Sequence, residues 1–234
     1  MSKKISIIIP VLNESAGINN TLEHLSGLIA VNGLPAEIIV VDGDQEGKTI
    51  AAIKDDKVIT VVGKPGRGRQ MNRGAALSKG EILLFLHADT LLPDDGLTLI
   101  AGACADLPFT AGAFDLAIDS ERPIFRLIEK TASLRSRMTR IPYGDQAFFF
   151  DAGYFHAIGG FAEIPFLEDV EIMRRIKKRG EKIVFLNRSV HTSARRWEKD
   201  GAIKRTLRNR LLVFLYCAGM APERLAKLYS IPNQ

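Results

Sequence analysis

The segment EILLFLHADT, residues 81–90, carries an apolar run onto His87 and Asp89. Polar groups at the end of a run that reads as a buried strand are placed to meet a ligand. The pattern occurs twice more: ISIIIPVLNE (5–14) ends on Asn13 and Glu14, and EIIVVD (37–42) ends on Asp42. In open α/β sheets ligands lie outside the carboxyl ends of the strands, so these three ends point to one place. Acids gathered there repel one another, and a cation or a donor-rich ligand would balance them. Singly, Asn13 reads as a helix cap and Asp42 as a turn former before Gly43. Jointly, they read as a site.

Three further clusters could act there. GRGRQMNRG (66–74) sets glycines before a helix and adds Arg67, Arg69 and Arg73. Such a loop offers N–H groups and a helix N-terminus to phosphate; a solvated basic loop explains it equally well. LEDV (167–170) puts Glu168 and Asp169 at a helix start, where carboxylates serve as caps or, facing a cleft, as a general base. HTSARRW (191–197) sets His191 near two arginines and the only tryptophan, Trp197. His191 reads as a structural histidine or a metal ligand, and Arg196 as a group that offsets a leaving phosphate.

The elements that must position these residues alternate through the first half. Strands are expected at 4–12, 37–42, 57–62 and 81–89, with helices at 13–30, around 49–54, after the 66–74 loop, and at 94–106. Strands alternating with helices predict a parallel sheet covered on both faces. The second half is less regular: strand-like segments at 111–119, 146–155 and 181–187, a basic amphipathic stretch at 121–140, a helix at 166–180, and two tail helices broken at Pro222. The chain has 234 residues, 46% hydrophobic and 25% charged, and a net charge of +5. That composition suits one compact soluble unit with anionic partners: a phosphorylated small molecule, nucleic acid or a membrane surface. Cys104 and Cys217 read as reduced thiols. The apolar run before Pro10 is too short for a signal peptide, and Leu211 to Met220 is too short to span a bilayer.

Together and in order, ISIIIPVLNE, IIVVDG, GRGRQMNRGAALSKGEILLFLHADT, PYGDQAFFF, GGF, LEDVEIMRRIKKRG and SARRW resemble the family 2 glycosyltransferases of the GT-A fold. Within them the closest resemblance is to the small bacterial branch described as arsenosugar-biosynthesis-type. The resemblance implies an α/β fold with a mostly parallel central sheet. It implies a catalytic domain over 1–200, with a nucleotide-sugar half (1–106) and an acceptor half (107–200), and a helical tail over 201–234. HAD stands at the family's Asp-x-Asp motif, so Asp89 would hold a divalent cation, Mn²⁺ or Mg²⁺, on the sugar-nucleotide diphosphate. His87 replaces the first aspartate of that motif, with a role toward the nucleotide.

By the same resemblance, Pro10, Asn13 and Glu14 form the nucleotide loop and Asp42 reads the base. Gln45 and Gly47 replace the usual serine and aspartate that follow. Arg67, Arg69 and Asn72 flank the nucleotide. Asp169 is the base, supported by Glu168, and His191 is a further metal ligand. SARRW matches the Gln-x-x-Arg-Trp motif with Ser193 in the glutamine position, which assigns Arg196 and Trp197 to substrate.

The expectation is transfer of a sugar from a nucleoside diphosphate sugar to an acceptor hydroxyl, with inversion. The acceptor is a small molecule or a lipid, nucleic acid is not a partner, and the location is cytoplasmic. A peripheral membrane contact and a homodimer stay open. Two rivals stand beside this reading: a sugar nucleotidyltransferase and a non-enzymatic binder of polyanions or membrane surfaces. In the tail, Leu211, Leu212, Phe214 and Leu215 either pack on protein or form a membrane-interface anchor with Lys204, Arg205, Arg208 and Arg210.

Overall fold

The computed structural model describes residues 3–105 and 109–229. The first half builds β1 (Ile5–Val11), α1 (Ile18–Asn32), β2 (Ala36–Asp42), α2 (Lys48–Ala51), β3 (Ile59–Val62), α3 (Arg67–Leu77), β4 (Ile82–Phe85), β5 (Thr90–Leu91) and α4 (Gly96–Ala103). The second adds β6 (Ala111–Asp119), α5 (Pro123–Thr139), a 3₁₀ turn at Gly144–Gln146, β7 (Phe148–Asp151), α6 (Ala152–Ala157), α7 (Glu168–Lys178) and β8 (Ile183–Ser193). Helices α8 (Arg195–Asp200), α9 (Ala202–Cys217) and α10 (Pro222–Tyr229) close the described chain.

One sheet runs through the molecule in the order β3-β2-β1-β4-β7-β6-β8-β5. Strands β1 to β4 pair parallel, as their continuous Ile, Val and Leu content requires for strands covered on both faces. Strand β1 shows both faces at work. Ile5, Ile7, Ile9 and Val11 pack with Ile18, Leu22 and Leu25 of α1, while Ile8 packs with Met71 and Ala75 of α3. Helix α3 lies so close to the sheet that a side chain at Gly74 would place its Cβ 2.4 Å from Ile8 Cγ2. Beyond β4 the sheet turns. Strand β7 pairs antiparallel with β4 and β6, and β5 antiparallel with β8, while β6 and β8 run parallel. The sheet is therefore mixed: most of its pairings are parallel, as expected, and the antiparallel ones all lie beyond β4.

Two further departures from the expected elements have local causes. The segment 146–155 does not continue as one strand. Asp151 accepts a hydrogen bond from the Tyr154 N–H at 2.8 Å and caps α6, which ends β7 after four residues. Strand β8 runs past 187 to Ser193 because it has partners on both sides, β6 and β5. The first two residues of SARRW thus straddle a strand end and a helix start. The expected helix at 94–106 ends at Ala103, and Asp106 lies outside the described residues. No helix among the described residues is long and apolar enough to cross a membrane.

Candidate functional site

The carboxyl ends of β1, β2 and β4 lie side by side at one edge of the parallel half of the sheet. Asn13 takes a left-handed conformation (φ 59) as the chain leaves β1, and it is exposed. Glu14 turns toward α8, where its two carboxylate oxygens accept from Arg195 Nη2 at 3.2 and 3.1 Å. Arg196 lies between two acids, 3.8 Å from Glu14 and 3.9 Å from Asp89. The C-terminal segment therefore folds back over the first strand, and Pro10 marks the half-buried edge where β1 ends. Trp197 packs against the apolar cluster that contains Leu116, Ile118 and Phe125, with the Arg205 guanidinium over its ring at 5.7 Å.

The sheet brings the segments that carry Asp89 and His191 together. Strand β5 pairs Thr90 with Thr192 and Leu91 with His191, and Ser193 N–H donates to the Asp89 carbonyl at 3.0 Å. Alternation along β8 then sets His191 and Ser193 on one face, and Asp89 lies in the turn that leads into β5. Thr90 and Thr192 take the other face, buried, with their hydroxyls 3.2 Å apart. No three His, Cys, Asp or Glu side chains converge into a metal-holding set among the described residues. Asp89 and His191, a carboxylate and an imidazole at the β5–β8 pairing, are of donor types that suit a divalent cation. These residues fit a cation whose remaining ligands arrive with a diphosphate.

The acidic pair of α7 forms the opposite wall. Leu167 precedes it at φ 65, a conformation that costs a bulky residue strain and rotates the helix start into the cleft. Glu168 is buried, and Arg67 Nε lies 3.4 Å from its Oε1, an attraction without hydrogen-bond geometry. Burial pushes the Glu168 carboxyl up, against the pull of Arg67 and with the help of neighbouring Asp169. Asp169 is half-buried and fixed at both oxygens: Oδ2 accepts from the Gly144 N–H and Oδ1 from the Val170 N–H, each at 2.8 Å. His87 reaches the same point. A Cβ on Gly144 would lie 3.2 Å from His87 Nε2 and 3.4 Å from Asp169 Oδ2, so a glycine lets the three meet. Burial, with Arg67 and Arg196 nearby, holds the His87 imidazole well below its ordinary range and keeps it neutral.

Three of the residues expected beside a nucleotide have other partners. Asp42 is fully buried; one oxygen accepts from the Asp44 N–H at 2.9 Å and the other from the Thr49 and Ile50 N–H groups at 3.0 and 3.3 Å. It braces the 43–50 loop from within. Arg69 pairs with Glu163 at 3.0 Å on the surface. Asn72 clasps the Phe161 backbone with both ends of its amide, at 2.8 and 2.9 Å. Arg67 alone of the glycine-rich cluster's expected residues is turned toward the acids of the cleft. Sequence reasoning passed over Arg135 and the Tyr143–Gln146 turn as site residues. The available signal was PYGDQ, a short polar turn between an amphipathic helix and an aromatic strand.

Residues 6–163 match the family model described as Glycosyl transferase family 2, and the chain belongs to that family. Glucosyl-3-phosphoglycerate synthase of Mycobacterium tuberculosis is 32% identical over 100 residues, covering 39% of this chain and 30% of that protein. The chain thus spans about a third of the length of the curated relatives it matches. The crystal structure of that synthase with Mn²⁺, uridine diphosphate and phosphoglyceric acid superposes with a TM-score of 0.62 at 19% identity, covering 94% of this chain and 80% of that one. A mannosyltransferase from Pyrobaculum calidifontis, solved with GDP-Man and Mn²⁺, superposes with a TM-score of 0.58 at 18% identity, covering 82% and 57% of the two chains. The fold is that of the GT-A glycosyltransferases.

The bracing of the 43–50 loop is testable apart from any activity. Asp42→Asn leaves one acceptor oxygen and turns an amide NH₂ toward backbone N–H groups. We expect it to lower stability by about 1–3 kcal/mol, the cost of buried polar groups left unpaired. Urea titration measures it, and an unchanged midpoint would show that the carboxylate does not brace the loop.

Proposed function

We propose that this member of glycosyl transferase family 2 moves a sugar from a nucleoside diphosphate sugar to an acceptor hydroxyl, with inversion. One observation carries the reading. The Asp169 carboxylate is held by two backbone N–H groups in a cleft that also receives the strand ends of His87 and Asp89. A carboxylate fixed at both oxygens keeps its remaining lone pairs in one orientation, as a general base requires. Asp169 takes the acceptor hydroxyl's proton as that oxygen forms its bond to the anomeric carbon. The bond from that carbon to the diphosphate breaks, and the electron pair leaves with the diphosphate. Arg67, Arg196 and the α3 N-terminus carry the charge that develops there. Asp89 and His191 would hold a divalent cation, Mn²⁺ or Mg²⁺; when bound, it neutralises charge on the leaving diphosphate. Glu168, buried behind Asp169, keeps the helix start in place.

The finer placement in the arsenosugar-biosynthesis-type branch rests on the ordered motifs with His87 in the Asp-x-Asp segment. Product analysis with arsenic-bearing, arsenic-free and phosphoglycerate acceptors decides it, and transfer only to arsenic-free acceptors would remove it.

We also infer a peripheral contact with an anionic membrane. Helix α9 exposes Ile203, Leu207, Leu211 and Phe214, and α5 exposes Leu127, Leu134 and Met138. The two helices are joined by Arg210 Nη2 donating to Thr131 Oγ1 at 2.8 Å. Exposed Lys130 and Lys204 flank this apolar face. An anionic bilayer complements that rim, whereas a second copy of the chain, docked isologously, would bring like charges together.

Three outcomes follow. Asp169→Asn should retain donor binding and lose transfer by ~10²–10⁴-fold, the usual share of a general base; a dead Glu168→Gln beside an active Asp169→Asn would move the role to Glu168. Asp89→Ala should abolish the Mn²⁺ dependence of nucleoside diphosphate binding in calorimetry, with the fold intact; equal affinities in parent and variant would end its metal role. The chain should cosediment with phosphatidylglycerol vesicles at low salt and be released at high salt, and Leu211→Glu should not bind. A parent that ignores vesicles but forms a dimer that Leu211→Glu splits would assign the face to a second copy.

A further inference from the structure

The turn before β7 is tied down from several sides. Gln146 is fully buried; its Oε1 accepts from Ser136 Oγ at 2.5 Å and from the Tyr143 N–H at 3.2 Å, and its Nε2 donates to the Phe114 carbonyl at 2.8 Å. The Arg135 guanidinium stacks 3.3 Å from the Tyr143 ring centroid and donates to Ser136 Oγ at 3.1 Å. Gly144 donates to Asp169. These contacts fix Asp145, between Gly144 and Gln146, one residue from the N–H that holds the base. The Asp145 carboxyl accepts from its own backbone N–H and is attracted by Arg135 and Arg67, but no salt bridge to it forms among the described residues. Arg135 stacks on Tyr143 and forms no ion pair with it, and no side-chain hydrogen bond from another residue ends on its oxygens among the described residues.

We propose that Asp145 binds ring hydroxyls of the sugar being transferred, an inference that rests on the glycosyl-transfer reading. The transferred sugar must lie between the leaving diphosphate and the base. The Tyr143–Gln146 turn touches both sides of that gap, meeting His87 beside the Asp89 strand end and Asp169 on α7. The charges around Asp145 narrow the ligand class. Arg67 and Arg135 oppose a cation, and Asp145 and Asp169 oppose an anion. A neutral ligand with several hydroxyl donors meets neither objection, and two neighbouring hydroxyls can donate to the two oxygens of one carboxylate.

The energetics agree with a residue kept for a ligand. Burial and the Asp169 charge push the Asp145 carboxyl from an ordinary 3.8 up to about 6, with Arg135 and Arg67 pulling the other way; the Tyr143 phenol also faces it. A carboxyl raised in the fold favours folding only while protonated. That contribution is complete below the unfolded value and is lost as pH rises through about 6. At neutral pH the charged group therefore weighs against the fold, which a bracing residue would not do.

The experiment compares the parent with Asp145→Asn and Asp145→Ala in Mn²⁺, titrating UDP against UDP-glucose and GDP against GDP-mannose. We expect nucleoside diphosphate affinity to be unchanged and sugar-nucleotide affinity to fall about tenfold to a hundredfold, as for a lost hydrogen bond to a charged group. Asp145→Asn should melt higher than the parent at pH 8, with the advantage shrinking toward pH 4. Unchanged sugar-nucleotide affinity would overturn the proposal. Equal losses for both members of a pair, with Asp145→Asn melting lower at pH 8, would overturn it in favour of a structural role. A parent that binds neither pair would instead count against the glycosyl-transfer reading.

Discussion

The antiparallel pairing of β7 with β4 is the constraint on which the site depends. Phe85, the last residue of β4, pairs with Phe148, the first of β7. Where one strand ends the other begins, so the turn leading into β7 lies beside the polar residues leaving β4. A parallel β7 would carry that turn to the far end of the sheet. The pairing is held by aromatic packing: Phe85 meets Phe150, Phe155 and Phe161 with ring centroids 5.8, 5.1 and 4.9 Å apart. Such pairs add to the burial of the rings themselves. The same rings anchor the 155–161 segment that leads to α7. One apolar cluster thus registers both the Gly144 turn and the Asp169 helix against the end of β4.

Strain collects where that registration is used. Among the described residues, four that are not glycine have positive φ: Asn13, Arg140, Ala147 and Leu167. Three of them flank the cleft, at the exit of β1, the entry to β7 and the start of α7. For Ala147 and Leu167 this costs of order 1–3 kcal/mol and persists only because the surroundings over-determine it, whereas an asparagine such as Asn13 takes the left-handed region more readily. The surroundings here are rigid strands and a pinned turn, and the conformations aim Glu14, the Tyr143–Gln146 turn and the acidic pair inward. The raised carboxyls of Glu168 and Asp145 belong to the same economy, in which core stability supports an unfavourable arrangement at the site.

The strand ends were legible because they depend on local pattern. An apolar β-branched run that stops near a polar residue identifies the strand and the place where it ends, and β1, β2 and β4 all formed where that pattern put them. The acidic pair of α7 was legible for a similar reason, since carboxylates at a helix start have a local physical cause. The reversal at β7 was not: FFFD reads the same in either strand direction, and only tertiary packing chooses. Asp42, Arg69 and Asn72 illustrate a different limit. Their types suit a nucleotide, but a carboxylate also suits three backbone N–H groups, and an amide also suits a peptide at 160–161. Which demand wins depends on distances no sequence pattern carries. Asp145 was hidden for another reason: what raises its carboxyl is burial and the nearness of Asp169, which only the fold creates.

The arginines of α8 show how the two halves of the molecule cooperate. Arg195 holds Glu14 with short contacts, which fastens the end of β8 over the end of β1. Arg196 is held more loosely, between Glu14 and Asp89 at 3.8 and 3.9 Å, with neither carboxylate in bidentate contact. Exposed ion pairs of that length contribute little. A guanidinium so placed can pass to a diphosphate at small cost, because it gives up two weak attractions for charge-assisted hydrogen bonds. The carboxylate it leaves, Asp89, is the one that a cation on the same diphosphate would meet. Arg195 thus fixes the geometry, and Arg196 is left free enough to respond to charge.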